Sequence, residues 1–296
     1  YGDVAYQYKI GKFEVTVAQY CAFLNSVAKS DPYGLYLTEM GTDQYVRTIL
    51  RSGSSGSYTY QAIGGYASHP MTFVTWFNAA RYCNWLHNGG TNGSSTENGA
   101  YLLNGATSGV NFFAQPGAKF RLPTEDEWYK AAYFDPAKSS GAGGYWRFAN
   151  RSDSISTSGA NYFMAHQDNN GIRTTPVGRF FSAVSYYGTY DQSGNVWEWT
   201  EDVVNENLRG LRGGSWTELD IKVSALARNT GHFGGNPGYV PAGENGFNGN
   251  TYGFRVVSLE GMGTAPVFTS TNSFLGKVGM STNWTVTASG STPITF

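Results

Sequence analysis

Apolar and polar positions change period several times along this chain. Residues 8–15 alternate and predict a short strand ending at Val15. Thr16 is then placed to cap a helix. Val17, Tyr20, Cys21, Leu24, Val27 and Ala28 recur at helical spacing and make one apolar face. Residues 30–66 are rich in Gly, Ser, Thr and Tyr and predict an irregular insertion with a hairpin. Met71, Phe73 and Val74 predict a strand. Thr75 caps a second helix, with Trp76, Ala79, Ala80, Cys83 and Leu86 as its buried stripe. Residues 88–118 are again rich in Gly, Asn and Ser. Thr124 and Glu127 have the spacing of a capping box for a third helix through Trp128, Ala131 and Ala132, which must end before Pro136. From residue 140 to 258 short strands, Gly/Asn turns and tryptophans replace helices, and Tyr252–Val257 is the last core strand predicted.

After Ser258 the texture changes. A break at Gly261-Met262-Gly263-Thr264-Ala265-Pro266 leads to alternating Val267, Phe268, Trp284, Val286 and Ile294. The predicted division is a domain over 1–258, a linker over 259–266 and a partial β-sandwich-like segment or assembly strand over 267–296. So few strands cannot bury their apolar faces alone, and their open edges invite pairing with another module or chain.

Composition narrows the function. Charged residues are 14% of the chain and the net charge is −1, with no basic run, so nucleic acid has no electrostatic footprint. No run of about 18 apolar residues predicts a membrane span. Low charge with 39 glycines and abundant Asn, Ser, Thr and Tyr suits a secreted, extracellular or cell-surface bacterial protein. The chain starts at Tyr1, which fits a product whose signal peptide has been removed.

Seven motifs then fall in order: Phe13-Glu14-Val15-Thr16; His69-Pro70 with Val74-Thr75-Trp76; Arg121 through Trp128; Thr175-Pro176-Val177-Gly178; Gly194-Asn195-Val196-Trp197-Glu198-Trp199; Arg212-Gly213-Gly214-Ser215-Trp216; and Gly253-Phe254-Arg255. Over about residues 8–258 the chain resembles the formylglycine-generating enzyme, or sulfatase-modifying factor, family. The resemblance implies an α+β fold, a variant of the C-type lectin fold with little regular secondary structure, here with a short C-terminal β segment.

It also implies chemistry that the residues do not supply. Family enzymes use two cysteines that bind Cu(I), an ion suited to soft thiolates. The first stands three residues after the serine of Gly-Gly-Ser and the second five residues later. Those positions hold Glu218 and Val223. A second enzymatic branch holds iron with histidines, but His69, His87, His166 and His232 include no two-histidine helical spacing. Neither copper nor iron is expected.

Calcium is expected, as one or two structural ions. The resemblance places one site at Asp191, Gly194, Val196 and Glu198, where carboxylates flank backbone carbonyls in a tight turn, as suits that ion. The alternative is that Glu198 is a buried hydrogen-bond acceptor and Asp191 a turn residue. The second site falls at Asn161, Tyr162, Asn169 and Gly171, with Asp168 beside the position where the family has an acidic residue. Its alternative is a solvated polar loop.

Cys21 and Cys83 lie on buried stripes, either as separate thiols or as one disulfide between the first two helices. In many relatives the residue matching Cys83 pairs with a cysteine after Gly-Phe-Arg, where Val256 stands here. Trp76, Trp85, Trp128, Trp146, Trp197 and Trp199 are expected in the core. Trp216, Glu218, His232, Phe233 and Tyr239 are the candidate ligand surface, aromatics and polar residues among glycines, the alternative being a plain loop. The reading is a non-catalytic, calcium-stabilised extracellular protein that binds a protein or glycan ligand, or self-assembles through its C-terminal segment. Its rivals are a degenerate enzyme and a retroelement-diversified binding protein.

Overall fold

In the computed structural model, Thr16 accepts a hydrogen bond from the Gln19 amide, and the Gln19 side chain accepts from the Thr16 N–H. This reciprocal cap uses donors that a helix start leaves unpaired. It opens α1 (Val17–Val27), which buries Val17, Tyr20, Cys21, Phe23 and Leu24. The structure describes residues 1–205, 208–232 and 249–259, with two further short strands at 267–268 and 288–289. A short α2 (Glu39–Thr42) precedes α3 (Trp76–His87), which Thr75 caps as expected. Then α4 (Glu125–Tyr133) begins with the Thr124–Glu127 capping box and ends before Pro136.

Burial of α3 exceeds the predicted stripe: residues 76–85 are all buried. The cause is segment 88–118, which wraps the helix. Arg81 forks onto Glu97 at 2.8 and 3.0 Å. Asn84 donates to the Thr96 and Tyr101 carbonyls and accepts from the Tyr101 N–H. Polar residues on a helix can be buried when every donor finds such a partner.

Strands are short: β1 (Lys9–Ile10), the hairpin β2 (Ile49–Ser52) and β3 (Thr59–Ala62), β4 (Phe120–Arg121), β5 (Phe134–Asp135), β6 (Gly144–Tyr145), β7 (Trp197–Asn205), β8 (Leu208–Arg212), β9 (Asn229–His232), β10 (Tyr252–Gly253) and β11 (Val257–Ser258). One sheet has the order β1-β11-β4, and the other β10-β7-β8-β9, with β10 parallel to β7. The expected strand 8–15 is therefore two residues long. Beyond it, Gly11 and Val15 still bond singly to the Val256 and Phe254 carbonyls. The expected strand at Met71–Val74 does not form. Phe73 sits at φ 58°, a left-handed turn that breaks an extended run. The predicted last strand divides into β10 and β11, which pair in different sheets. From residue 140 to 258 the described helix is one 3₁₀ turn, Asp220–Val223, besides the end of another at Ser139–Gly141.

The main core joins α1, α3, β7 and β8. Trp76, Trp128, Trp197 and Trp199 are at most 1% exposed, and Trp85 is buried. Trp146 departs from expectation: it is half-buried, beneath the Lys138 ammonium and bonded to Asp135. In the tail, Val267–Phe268 pairs antiparallel with Ala288–Ser289. Trp284, Val286 and Ile294 lie outside the described residues. No helix among the described residues is long and apolar enough to cross a membrane.

Candidate functional site

The loop before β7 turns tightly. Asp191 and Asn195 both adopt left-handed backbone angles, φ 63° and 64°. Gly194 lies between them at φ 118°, and a Cβ there would collide with the Asn161 carbonyl. Only glycine permits that approach. The Asn195 side chain becomes a buried hub. Its oxygen accepts from Asn161 and from the Thr175 N–H, both at 3.0 Å, and its amide donates to Glu14 at 3.1 Å.

One turn further, Glu198 is fully buried. Arg255 grips it with two N–H groups at 2.5 and 2.6 Å, and Trp128 Nε1 donates at 2.8 Å. The remaining Arg255 donors reach the carbonyls of Gly11 and Tyr190 at 2.8 and 2.9 Å. One guanidinium thus ties β7, the β1 edge and the segment before β11 together. Such a planar fork matches a carboxylate better than a lysine could.

Two more carboxyl groups share this interior. Asp191 accepts from the Gly178 N–H at 2.6 Å. Glu14 is 1% exposed, and its Oε2 has no partner among the described residues. Three carboxyls therefore face one guanidinium. Burial, then the neighbouring carboxylates, pushes Glu14 well above the usual carboxylate range. Burial also pushes Asp191 up to about 6, against the pull of the Gly178 amide and Arg255.

These partners bear on both expected calcium sets. Both Glu198 oxygens accept hydrogen bonds, from Arg255 and Trp128, so in this arrangement its charge is paired with a guanidinium. Among the described residues no group of three or more His, Cys, Asp and Glu side chains is placed to hold a metal. At the second set, Asn161 does fit. Its Oδ1 is buried without a partner, while its amide donates to the Arg173 carbonyl and to Asn195. Tyr162 is half-buried beside it. Asn169 is exposed, and the neighbouring Asp168 is consumed by its own loop, accepting from the Asn170 and Ile172 N–H groups. Gly171 serves that turn at φ 88°. The two sets adjoin, since the Asn195 N–H donates to the Asn161 carbonyl at 2.7 Å.

The region matching the copper cysteines is filled. Val223 is 0% exposed, and a Cβ on Gly214 would approach its Cγ1 to 2.5 Å. Glu218 is half-buried and accepts from Trp197 Nε1 at 3.2 Å. Trp216 corrects the ligand-surface expectation: it is 0% exposed, donates to the Asn250 carbonyl and lies against Tyr45. The Gly213 and Gly214 angles, φ 99° and 74°, turn the chain inward just before it. His232 ends β9, and its side chain, like Phe233 and Tyr239, lies outside the described residues. Cys21 and Cys83 are separate buried thiols, not a disulfide. Burial pushes Cys21 up to about 11 and Cys83 well above the usual thiol range, so neither is primed as a nucleophile.

Sequence reading gave Glu14 and Arg255 only as members of motifs. It also passed over Glu201, which is buried, accepts from the Tyr101 hydroxyl and the Ala114 N–H at 2.6 Å each, and is pushed by burial up to about 7. Glu198 and Glu201 stand three residues apart on β7, and nothing local signals which will meet an arginine.

A lectin-like core with two small sheets, glycine-led inward turns and an arginine-gripped glutamate defines the class. The profile of the sulfatase-modifying factor enzyme 1-like domain matches residues 3–259, and the chain belongs to that family. It is 29% identical over 212 residues to serine/threonine-protein kinase pkn1 of Chlamydia caviae, covering 64% of this chain and 24% of that protein. It is 30% identical over 135 residues to hercynine oxygenase of Mycolicibacterium smegmatis, covering 38% of this chain and 29% of the oxygenase. With inactive C-alpha-formylglycine-generating enzyme 2 of Mus musculus it shares 26% identity over 174 residues, 57% of this chain and 44% of the relative. The chain thus spans less than half the length of each. The Treponema denticola variable protein 1 structure superposes with a TM-score of 0.50 at 22% identity, over 85% of this chain and 84% of that one, and shows the same fold.

Proposed function

We propose that this chain is a non-catalytic member of the family, an extracellular binding or structural module that takes a protein or glycan ligand. One observation carries the reading: the two positions where the family's copper thiolates stand hold a packed Val223 and a Trp197-bonded Glu218. A buried methyl group and a hydrogen-bonded carboxylate offer no soft ligand for Cu(I). A relative named as inactive supports this reading, and the oxygenase relative is the reason to test it. The test is incubation with a Cys-containing sulfatase peptide, Cu(I) and oxygen. No aldehyde is expected, and a mass loss matching formylglycine would overturn the proposal.

Calcium belongs to the same proposal through Asn161. A buried amide oxygen without a donor, beside an interior with more carboxyl groups than cations, is where a hard cation stabilises most. Such an ion would be structural. Self-assembly through the segment beyond residue 266 remains part of the proposal. The pairing of Val267–Phe268 with Ala288–Ser289 supports a β-structured tail, and truncation at Ser258 should shift an oligomer to monomer.

A further inference from the structure

A cavity of about 300 Å³ opens between the Gly64–Gly65 turn and segment 166–179, away from Val223 and Glu218. That volume is at the small end of the range for small-molecule sites. Tyr66, His69, Asp168, Asn170, Thr174 and Arg179 line it. His69 is 5% exposed and stands edge-on to Tyr66. Its Nδ1 lies 3.0 Å from the Thr174 hydroxyl oxygen, and its other ring nitrogen has no hydrogen-bond partner among the described residues.

The charges at this cavity are unequal. Asp168 is already satisfied by three donors: the Asn170 and Ile172 N–H groups at 2.8 Å and the Tyr66 hydroxyl at 2.6 Å. Burial raises Asp168, but these hydrogen bonds outweigh it and hold the group below the usual carboxylate range, so it stays charged and an anion in the cavity must be held by Arg179 and His69 against it. Arg179 is exposed and has no carboxylate partner among the described residues. Arg47 donates to the carbonyl of Asn170, one of the lining residues, at 2.9 Å. His166 also lines the cavity, with its Nε2 2.6 Å from the Thr157 carbonyl oxygen. Among the described residues the lining cation without a carboxylate partner is thus the Arg179 guanidinium, and the His69 Nε2 is a nearly buried nitrogen free of hydrogen bonds beside it.

We infer that this cavity binds a small oxyanion, a carboxylate or a phosphate, gripped by the Arg179 fork and by the His69 Nε2–H. The Thr174 hydroxyl can donate to Nδ1 of the neutral ring or accept from Nδ1–H of the charged one, and in either case Nε2 carries the proton offered to the anion. A bidentate arginine with one neutral donor beside it is a common way to hold such a group. Without a ligand, burial holds His69 down to about 4, with Arg179 lowering it further and Asp168 opposing. An anion favours the charged imidazole, so binding should raise that value and tighten as pH falls from about 7 to about 5.

The test follows the His69 ring resonances during separate titrations with succinate and with inorganic phosphate. Saturable shifts in at least one arm are expected, and the tighter arm names the ligand class. Arg179→Ala, at an exposed side chain, should keep the folded spectrum and weaken binding at least about tenfold. Arg179→Lys, which keeps the charge but not the fork, should fall between. No saturable shift with either probe would overturn the inference. So would binding that Arg179→Ala leaves unchanged, which marks an ion adsorbed elsewhere.

Discussion

Between α1 and α3 the interior is aromatic, whereas around Arg255 it is polar. In the first region Tyr20, Phe23, Tyr82 and Trp85 meet in stacked, tilted and edge-on pairs 5.4 to 6.2 Å apart, and Phe254 closes the cluster against Tyr82. In the second, Arg255 pairs with Glu198, Asn195 donates to Glu14, and Asp191 accepts from the Gly178 N–H. The first is held by non-directional burial, which tolerates exchange of one ring for another side chain of similar size. The second is held by pairing, and it fails when one partner is lost.

The largest effect should come from breaking the polar region. Arg255→Met leaves Glu198 buried and unpaired and should cost about 3–5 kcal/mol by denaturant unfolding. Adding Glu198→Gln in the same chain should recover part of that loss. Equal stability of the single and double variants would show that the pair is not coupled.

A smaller effect should come from pH and calcium together. The folded-state values of Asp191 and Glu201 are raised, to about 6 and about 7, from ordinary values of 3.8 and 4.5. Their favourable contribution is fully present below the ordinary values and is lost as pH rises through the folded ones. These two groups should therefore lower thermal stability between about pH 4 and pH 7, while His69, held down from 6.5 to about 4, opposes them, so the decline should steepen in a His69→Phe background. Calcium should offset the decline at the upper end, by about 2.7 kcal/mol at a hundredfold excess over its dissociation constant. Melts at pH 7 that are identical with calcium and with chelator would remove calcium from the proposal.

The smallest effect should come from the aromatic region. Phe23→Leu, a near-volume swap inside the cluster, should cost less than about 1.5 kcal/mol. A loss as large as that of Arg255→Met would erase the contrast between the two interiors.

The same contrast explains what could be read beforehand. Helix α1 was legible because Thr16 and the spacing from Val17 to Ala28 are local signals. The same holds for α3 and α4, whose caps lie within three residues of the helix starts. Trp216 was misread because its neighbours are polar and glycine-rich. Its burial depends on Asn250 and Tyr45, which are remote in sequence. Phe73 was misread because apolar runs do not reveal a left-handed turn.

The candidate site divides in the same way. The family resemblance put Asp191 and Glu198 in one set and Asn161 in another, and the structure joins their loops through Asn195. Which partner each carboxylate takes was not legible, because Glu198 and Arg255 are 57 residues apart and Glu14 and Asn195 are 181 apart. By itself, then, the sequence determined the helices, their caps, the family and the loss of the copper thiolates. Each of these is a property of a residue and its close neighbours or of a motif's order. Only the tertiary structure decided that Arg255 takes Glu198, that Val223 fills its position and that His69 and Arg179 share a cavity. Hydrogen bonds and close packing are set by ångström distances between distant segments, and no local pattern encodes those distances.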